Sequence, residues 1–242
     1  GLILEPITAG GGVIPPVQEY YPIIQEICAK YDVILIIDEV VCGFGRTGKM
    51  FGFEHYDFAP DIVTMAKGMA SSYAPISATS VRSGIFEKFL HDPSDKLDYF
   101  RDISTYGGCT AGFAAALENL RILEDEDLIE NTRVVGDHLL DRLRELADQE
   151  HVGDIRGKGL FAGVELMEDK SSKVPVSEDM MNAVMGRITE EGVLVGKTTR
   201  SIPRLNNTIN IAPPLIVTEA DVDEIVDAVK VGIEQGCRSV LG

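Results

Sequence analysis

Basic residues are scarce in this 242-residue chain: 22 lysines and arginines stand against 39 acids, a formal charge of −17. A phosphate-rich partner needs a basic patch, so this balance argues against nucleic acid and anionic membrane surfaces as partners. Long apolar runs are lacking too. None approaches the roughly 18–20 residues of a membrane span, and the N-terminus has no signal-peptide layout. Cysteine is sparse, with Cys28, Cys42, Cys109 and Cys237 widely scattered and no CxxC pair. Such spacing speaks against a disulfide framework or a thiolate metal site and for reduced thiols in the cytoplasm. What is there is an ordinary globular composition, 45% hydrophobic and 25% charged, able to bury a core. The first residues, Gly1-Leu2-Ile3-Leu4-Glu5-Pro6, already read as a strand, so the chain is expected to begin in mid-domain.

The short apolar runs that do occur alternate with helical spacing. A strand over 2–5 is stopped by Pro6 and by Gly10-Gly11-Gly12. Over Val17 to Tyr31 the residues Tyr20, Ile23, Ile24, Ile27 and Cys28 fall on one helical face, and a strand over 33–38 follows at once. Strand, helix, strand is a βαβ unit, which predicts a parallel sheet. Continuous Val/Ile/Leu runs predict strands covered on both faces. Further strands are expected over 62–66 and 76–81, and a polar surface loop over 91–104. Near Cys109 the character changes. Helices are predicted over 111–122, 127–150 and 177–191, and strands over 152–157, 160–166, 193–195 and 208–212. A final helix opens at Thr218, with Asp221 three residues on, close to a capping box. Its apolar face is Val222, Ile225, Val226, Val229 and Ile233. The fold class is therefore α/β, with a mostly parallel sheet in residues 1–108 and an α+β second domain in 109–242.

Two of the buried-strand signals end in an ionisable residue. Val33-Ile34-Leu35-Ile36-Ile37 runs into Asp38, and Ile62-Val63-Thr64-Met65-Ala66 runs into Lys67. In open α/β sheets ligands bind outside the carboxyl ends of the strands. An acid there can simply cap a loop, and a lysine can simply be solvated, but their conjunction points to a site. A lysine buried at such a place has its pKa pulled down and becomes a usable amine nucleophile. An acid opposite a heteroaromatic nitrogen would hold that nitrogen protonated, making the ring an electron sink; pyridoxal phosphate uses both parts. Between the two strands, Gly43-Phe44-Gly45-Arg46-Thr47-Gly48-Lys49 matches GxxxxGK. Met50 stands where that motif needs Ser or Thr, and the next residues, Phe51-Gly52-Phe53-Glu54, are a poor helix start, so a phosphate-binding loop is disfavoured.

The chain resembles the class III (ω-type) aminotransferases, pyridoxal-phosphate enzymes of fold type I. The resemblance rests on Leu4-Glu5-Pro6, on Asp38-Glu39-Val40 leading into Gly43-Phe44-Gly45-Arg46-Thr47-Gly48, and on Pro60-Asp61 before Ala66-Lys67-Gly68. Thr105-Tyr106-Gly107-Gly108, Gly157-Lys158-Gly159-Leu160 and Ala212-Pro213-Pro214-Leu215 extend it over essentially the whole chain. The resemblance implies a fold type I large-domain part plus a small C-terminal domain, with pyridoxal 5′-phosphate as cofactor. It also implies that Lys67 is the Schiff-base lysine and proton shuttle, that Asp38 pairs with the pyridinium nitrogen, and that Val40 packs on one ring face. Thr105 resembles the threonine that reaches the cofactor phosphate of the neighbouring subunit, which implies a homodimer with shared sites. Arg46 is expected to support its loop rather than touch substrate.

Departures from the family pattern narrow the substrate. Gly10 and Val41 stand where relatives acting on ornithine or γ-aminobutyrate carry glutamate and often glutamine. Both resemble the branch that moves amino groups from ω-amino acids or amines to pyruvate. Tyr73-Ala74-Pro75-Ile76-Ser77-Ala78 and Asn206-Asn207-Thr208-Ile209-Asn210 are similar to taurine–pyruvate aminotransferases, which makes an amino sulfonate the first expected donor. A mobile arginine before the last strand usually binds the acceptor carboxylate in this family, with Arg200 and Arg204 the two candidates. The family's N-terminal half, with the turn that binds the cofactor phosphate, has no counterpart here. The chain resembles the C-terminal half of a doubled protein, and the alternative expectation is an inert fragment that keeps the fold but not the cofactor.

Overall fold

In the computed structural model the described residues are 1–90, 100, 102–199 and 205–241. They form two four-stranded sheets joined by a pair of helices. In the first sheet β1 (Leu2–Leu4), β2 (Leu35–Asp38) and β3 (Ile62–Met65) run parallel, and β4 (Ala78–Val81) pairs antiparallel with β3. The crossover from β1 to β2 is α1 (Tyr20–Lys30), so the strand–helix–strand reading gives the parallel pairing it predicted. Pro22 is accommodated because it falls in the first helical turn, where a backbone N–H has no helical partner.

The inward side of α1 differs from the expected stripe. Tyr21 and Cys28 are buried, with Ile24 half-buried beside them, whereas Tyr20, Ile23 and Ile27 are exposed. Tyr21 decides this orientation: its ring stacks on Phe58 at 4.5 Å and its hydroxyl donates to the Glu5 carbonyl. The helix packs on the strand face that carries Leu35 and Ile37. The opposite face is less covered by this chain, since Ile3 is 58% exposed and Ile34 41%. The expectation of strands covered on both faces is therefore met on one face only.

A short helix α2 (Ser83–Phe86) comes after β4, and then α3 (Thr110–Asp125) and α4 (Leu128–Arg144) form a helical pair turned at Asp127, whose φ is +50°. Helix α4 ends at Arg144, not near 150, and the chain then turns into the second sheet. That sheet is antiparallel throughout, in the order β5 (Val152–Gly157), β6 (Ala162–Leu166), β8 (Thr208–Ile211) and β7 (Gly196–Lys197). The strand expected at 193–195 lies three residues later. Gly192, at φ +88°, ends α5 (Glu178–Glu190), and the Val193 N–H is spent on the Ile188 carbonyl. Helices α4, α5 and α6 (Glu219–Leu241) cover the sheet around Leu139, Leu143, Leu166, Met181, Ile188 and Ile209, each fully buried. The Thr218 cap forms as predicted: its hydroxyl accepts the Asp221 N–H and the Asp221 carboxylate accepts the Thr218 N–H. Val222, Val226, Val229 and Ile233 are buried, and Ile225 is half-buried.

Candidate active site

Asp38 is the last residue of β2 and is paired in register with Thr64 of β3; Lys67 lies three residues beyond Thr64. Two parallel strands, side by side, thus carry an acid and an amine to the same edge of the sheet. Asp38 Oδ1 accepts the Val40 N–H at 2.9 Å, which turns the chain out of the strand. Its second carboxylate oxygen takes no hydrogen bond among the described residues. Lys67 starts a one-turn 3₁₀ segment, Lys67–Met69, with a left-handed φ of +37°. A non-glycine residue held there is strained, and such strain concentrates at functional positions. Asn119 of α3 holds the turn by donating to the Gly68 and Met69 carbonyls at 2.9 and 3.2 Å.

Lys67 borders a cavity of about 530 Å³ whose other walls include Val40, Phe44, Asn119, Pro214 and Leu215. The lysine is exposed in this chain, so these residues do not supply the burial expected around it. An unclaimed carboxylate oxygen, an amine and an apolar side chain at Val40 fit the donor set that pyridoxal 5′-phosphate requires for its ring. Thr105 is placed elsewhere: it lies in an exposed turn beside a second cavity lined by Pro75, Ser104, Tyr106 and Gly108, and the structure does not bring it to Lys67. Arg200 and Arg204 lie outside the described residues.

The glycine loop is not a phosphate cradle. Gly43, Gly45 and Gly48 donate their N–H groups to the carbonyls of Glu39, Met50 and Gly45, and the loop leads into a 3₁₀ turn, Gly52–His55, instead of a helix N-terminus. The loop packs against the second sheet. A Cβ on Gly159, whose φ is +58°, would stand 2.5 Å from the Thr47 carbonyl carbon, so only glycine permits that backbone approach. Arg46 Nη1 donates to the Leu160 carbonyl at 3.0 Å and the Pro213 carbonyl at 2.5 Å, while the Leu160 N–H returns a bond to the Arg46 carbonyl at 3.2 Å. Burial holds the guanidinium pKa below its usual range. Arg46 thus ties its loop to the second sheet, and it also lines the cavity that Lys67 borders.

Two residues of this neighbourhood carry no role in the sequence reading. Glu39 is fully buried; its carboxylate accepts the Gly52 and Phe53 N–H groups at 2.9 and 2.7 Å, and burial lifts its pKa from 4.5 to about 7 against those two donors. Its place in the Asp38-Glu39-Val40 motif was the available signal. Asn119 had none, because its partners are some 50 residues away.

The aminotransferase class-III family model matches residues 1–233. The taurine–pyruvate aminotransferase of Bilophila wadsworthia is 56% identical over 226 residues, which are 93% of this chain and 50% of that protein. The hypotaurine/taurine–pyruvate aminotransferase of Paracoccus denitrificans is 52% identical over 229 residues, 94% of this chain and 50% of that protein. Among solved structures, a Bacillus anthracis aminotransferase superposes with a TM-score of 0.93 at 43% identity, covering 96% of this chain and 52% of that one. The chain spans about half the length of the curated relatives it matches. Its mixed sheet with three parallel strands and its antiparallel companion form part of the fold type I transaminase architecture. From the first residue to residue 233, this chain belongs to the class-III aminotransferases.

Proposed function

We propose that the protein moves an amino group from an ω-amino acid, amine or amino sulfonate to pyruvate with pyridoxal 5′-phosphate as cofactor. The observation that carries this reading is the delivery of Asp38 and Lys67 to the ends of paired strands β2 and β3 in a class-III aminotransferase chain. When bound, the cofactor supplies an electron-withdrawing ring conjugated to the reacting carbon. Asp38 offers its unclaimed oxygen to the ring nitrogen and keeps a proton there. Val40 lays its side chain on one ring face. Lys67 would hold the cofactor covalently and, once displaced by the incoming donor amine, its freed Nζ would carry a proton between the donor's Cα and the cofactor's C4′. Thr105 serves the cofactor phosphate of a second subunit in a homodimer with shared sites. Arg200 and Arg204 are the candidates for the acceptor carboxylate. The names of the Bilophila and Paracoccus relatives support an amino sulfonate as donor.

The division at residues 108 and 109 is the proposed boundary between the large-domain part and the small domain. Four free cysteines support a reducing, cytoplasmic setting. Among the described residues, no helix is long and apolar enough to cross a membrane.

Half-length coverage of the relatives favours a second reading, in which these 242 residues alone are inert and act only with a segment that supplies the phosphate turn. Incubation of the purified protein with pyridoxal phosphate, taurine and pyruvate separates the two. Alanine should form with the native residue at 67 and not with Lys67→Ala. A colourless protein that makes no alanine would leave the second reading.

A further inference from the structure

The segment 212–217, between β8 and α6, is irregular, and Pro213 and Pro214 leave it two backbone donors short. It nevertheless provides Ala212, Pro214, Leu215 and Ile216 to the cavity that Lys67 borders. Its carbonyls are held from outside. Arg46 Nη1 takes Pro213, and Asn131 Nδ2 of α4 takes Leu215 at 2.7 Å and Val217 at 3.1 Å. The one backbone bond within the segment is Val217 N–H to the Pro214 carbonyl at 3.2 Å. Without the two side chains, three consecutive odd-numbered carbonyls would lose their donors, and the wall would have nothing but apolar contact to fix its distance from Lys67.

We infer that Arg46 and Asn131 are positioning residues that hold 212–217 as the wall of the Lys67 cavity and so set the width available to substrate. Arg46 spends one nitrogen on two carbonyls from different connections of the second sheet, Leu160 between β5 and β6 and Pro213 after β8, so a single side chain registers that sheet against the Lys67 edge. Asn131 does not line the cavity, and any effect it has on turnover must pass through the wall. The inference rests on the transaminase reading for its kinetic consequence alone.

The experiment compares Arg46→Met, Arg46→Lys and Asn131→Leu in the purified, cofactor-loaded protein, at a temperature where circular dichroism shows each folded. Hydrogen exchange at the Val217 amide should quicken at least about tenfold in Arg46→Met and Asn131→Leu, the effect of losing donors worth on the order of one tenfold step each. Arg46→Lys, whose single nitrogen can still donate to both carbonyls, should keep most of the protection. With taurine and pyruvate, kcat/KM should fall about tenfold or more in both disruptive variants, since small misplacements in a site are costly. Unchanged Val217 exchange in both disruptive variants would overturn the inference. So would a kinetic effect confined to the KM of the Arg46 variants with Asn131→Leu like the parent, because Arg46 would then be meeting substrate itself. If the parent shows no turnover, the reading in which these residues act alone fails, and the exchange result still decides the wall.

Discussion

The Asn119 side chain donates to the Gly68 carbonyl at 2.9 Å, joining the middle of α3 to the turn that begins with Lys67. The same amide nitrogen reaches the Met69 carbonyl at 3.2 Å. A carbonyl left without its donor loses roughly 1–3 kcal/mol if no water replaces it. Asn119→Leu should therefore lower stability by about 1–2 kcal/mol in urea denaturation and reduce kcat more than it raises KM, since the turn carries the amine. A variant with parental stability and kinetics would show that the turn holds itself.

Lys67 is held at a φ of +37°, where glycine is at ease and other residues are not. In cofactor-free protein, Lys67→Gly should be more stable than Lys67→Ala by about 1 kcal/mol, while both lack turnover. Equal melting curves for the two would remove backbone strain from the account of this position.

Glu39 makes stability fall as pH rises. Its carboxyl has a folded pKa of about 7 against 4.5 when unfolded, so the folded state holds a proton that the unfolded state has released. That contribution is complete below about 4.5 and is lost as pH rises through about 7. The stability difference between the parent and Glu39→Gln should shift across this window by on the order of 3 kcal/mol, read from denaturation at a series of pH values. A difference that stays flat would mean that the two N–H donors at Gly52 and Phe53 keep the carboxylate ionised throughout.

Gly159 stands at φ +58° with the Thr47 backbone where a Cβ would be, 2.5 Å to one carbon and 2.8 Å to another. Gly159→Ala combines conformational strain with a backbone clash and should cost about 3 kcal/mol or more. Lys158→Ala, next in sequence, removes only a side chain at a half-buried position and should change stability far less. Thermal melts of the two variants side by side check this.

Much of this protein is decided locally and is legible in its residues. Apolar runs ending at Asp38 and near Lys67 are strands because they are short and branched, and the helix α1 between β1 and β2 makes that pair parallel. Thr218 and Asp221 cap α6 because their partners are three residues apart. The motif around Lys67 belongs to the same class of local information. What the tertiary structure alone decided has partners far along the chain. The inward face of α1 is set by Tyr21 stacking on Phe58, the turn after Lys67 by Asn119, and the cavity wall by Arg46 and Asn131 reaching carbonyls 167 and 84 residues away. Periodicity records which residues avoid water, not which surface they meet, and a carbonyl oxygen leaves no mark in sequence of the donor that will find it.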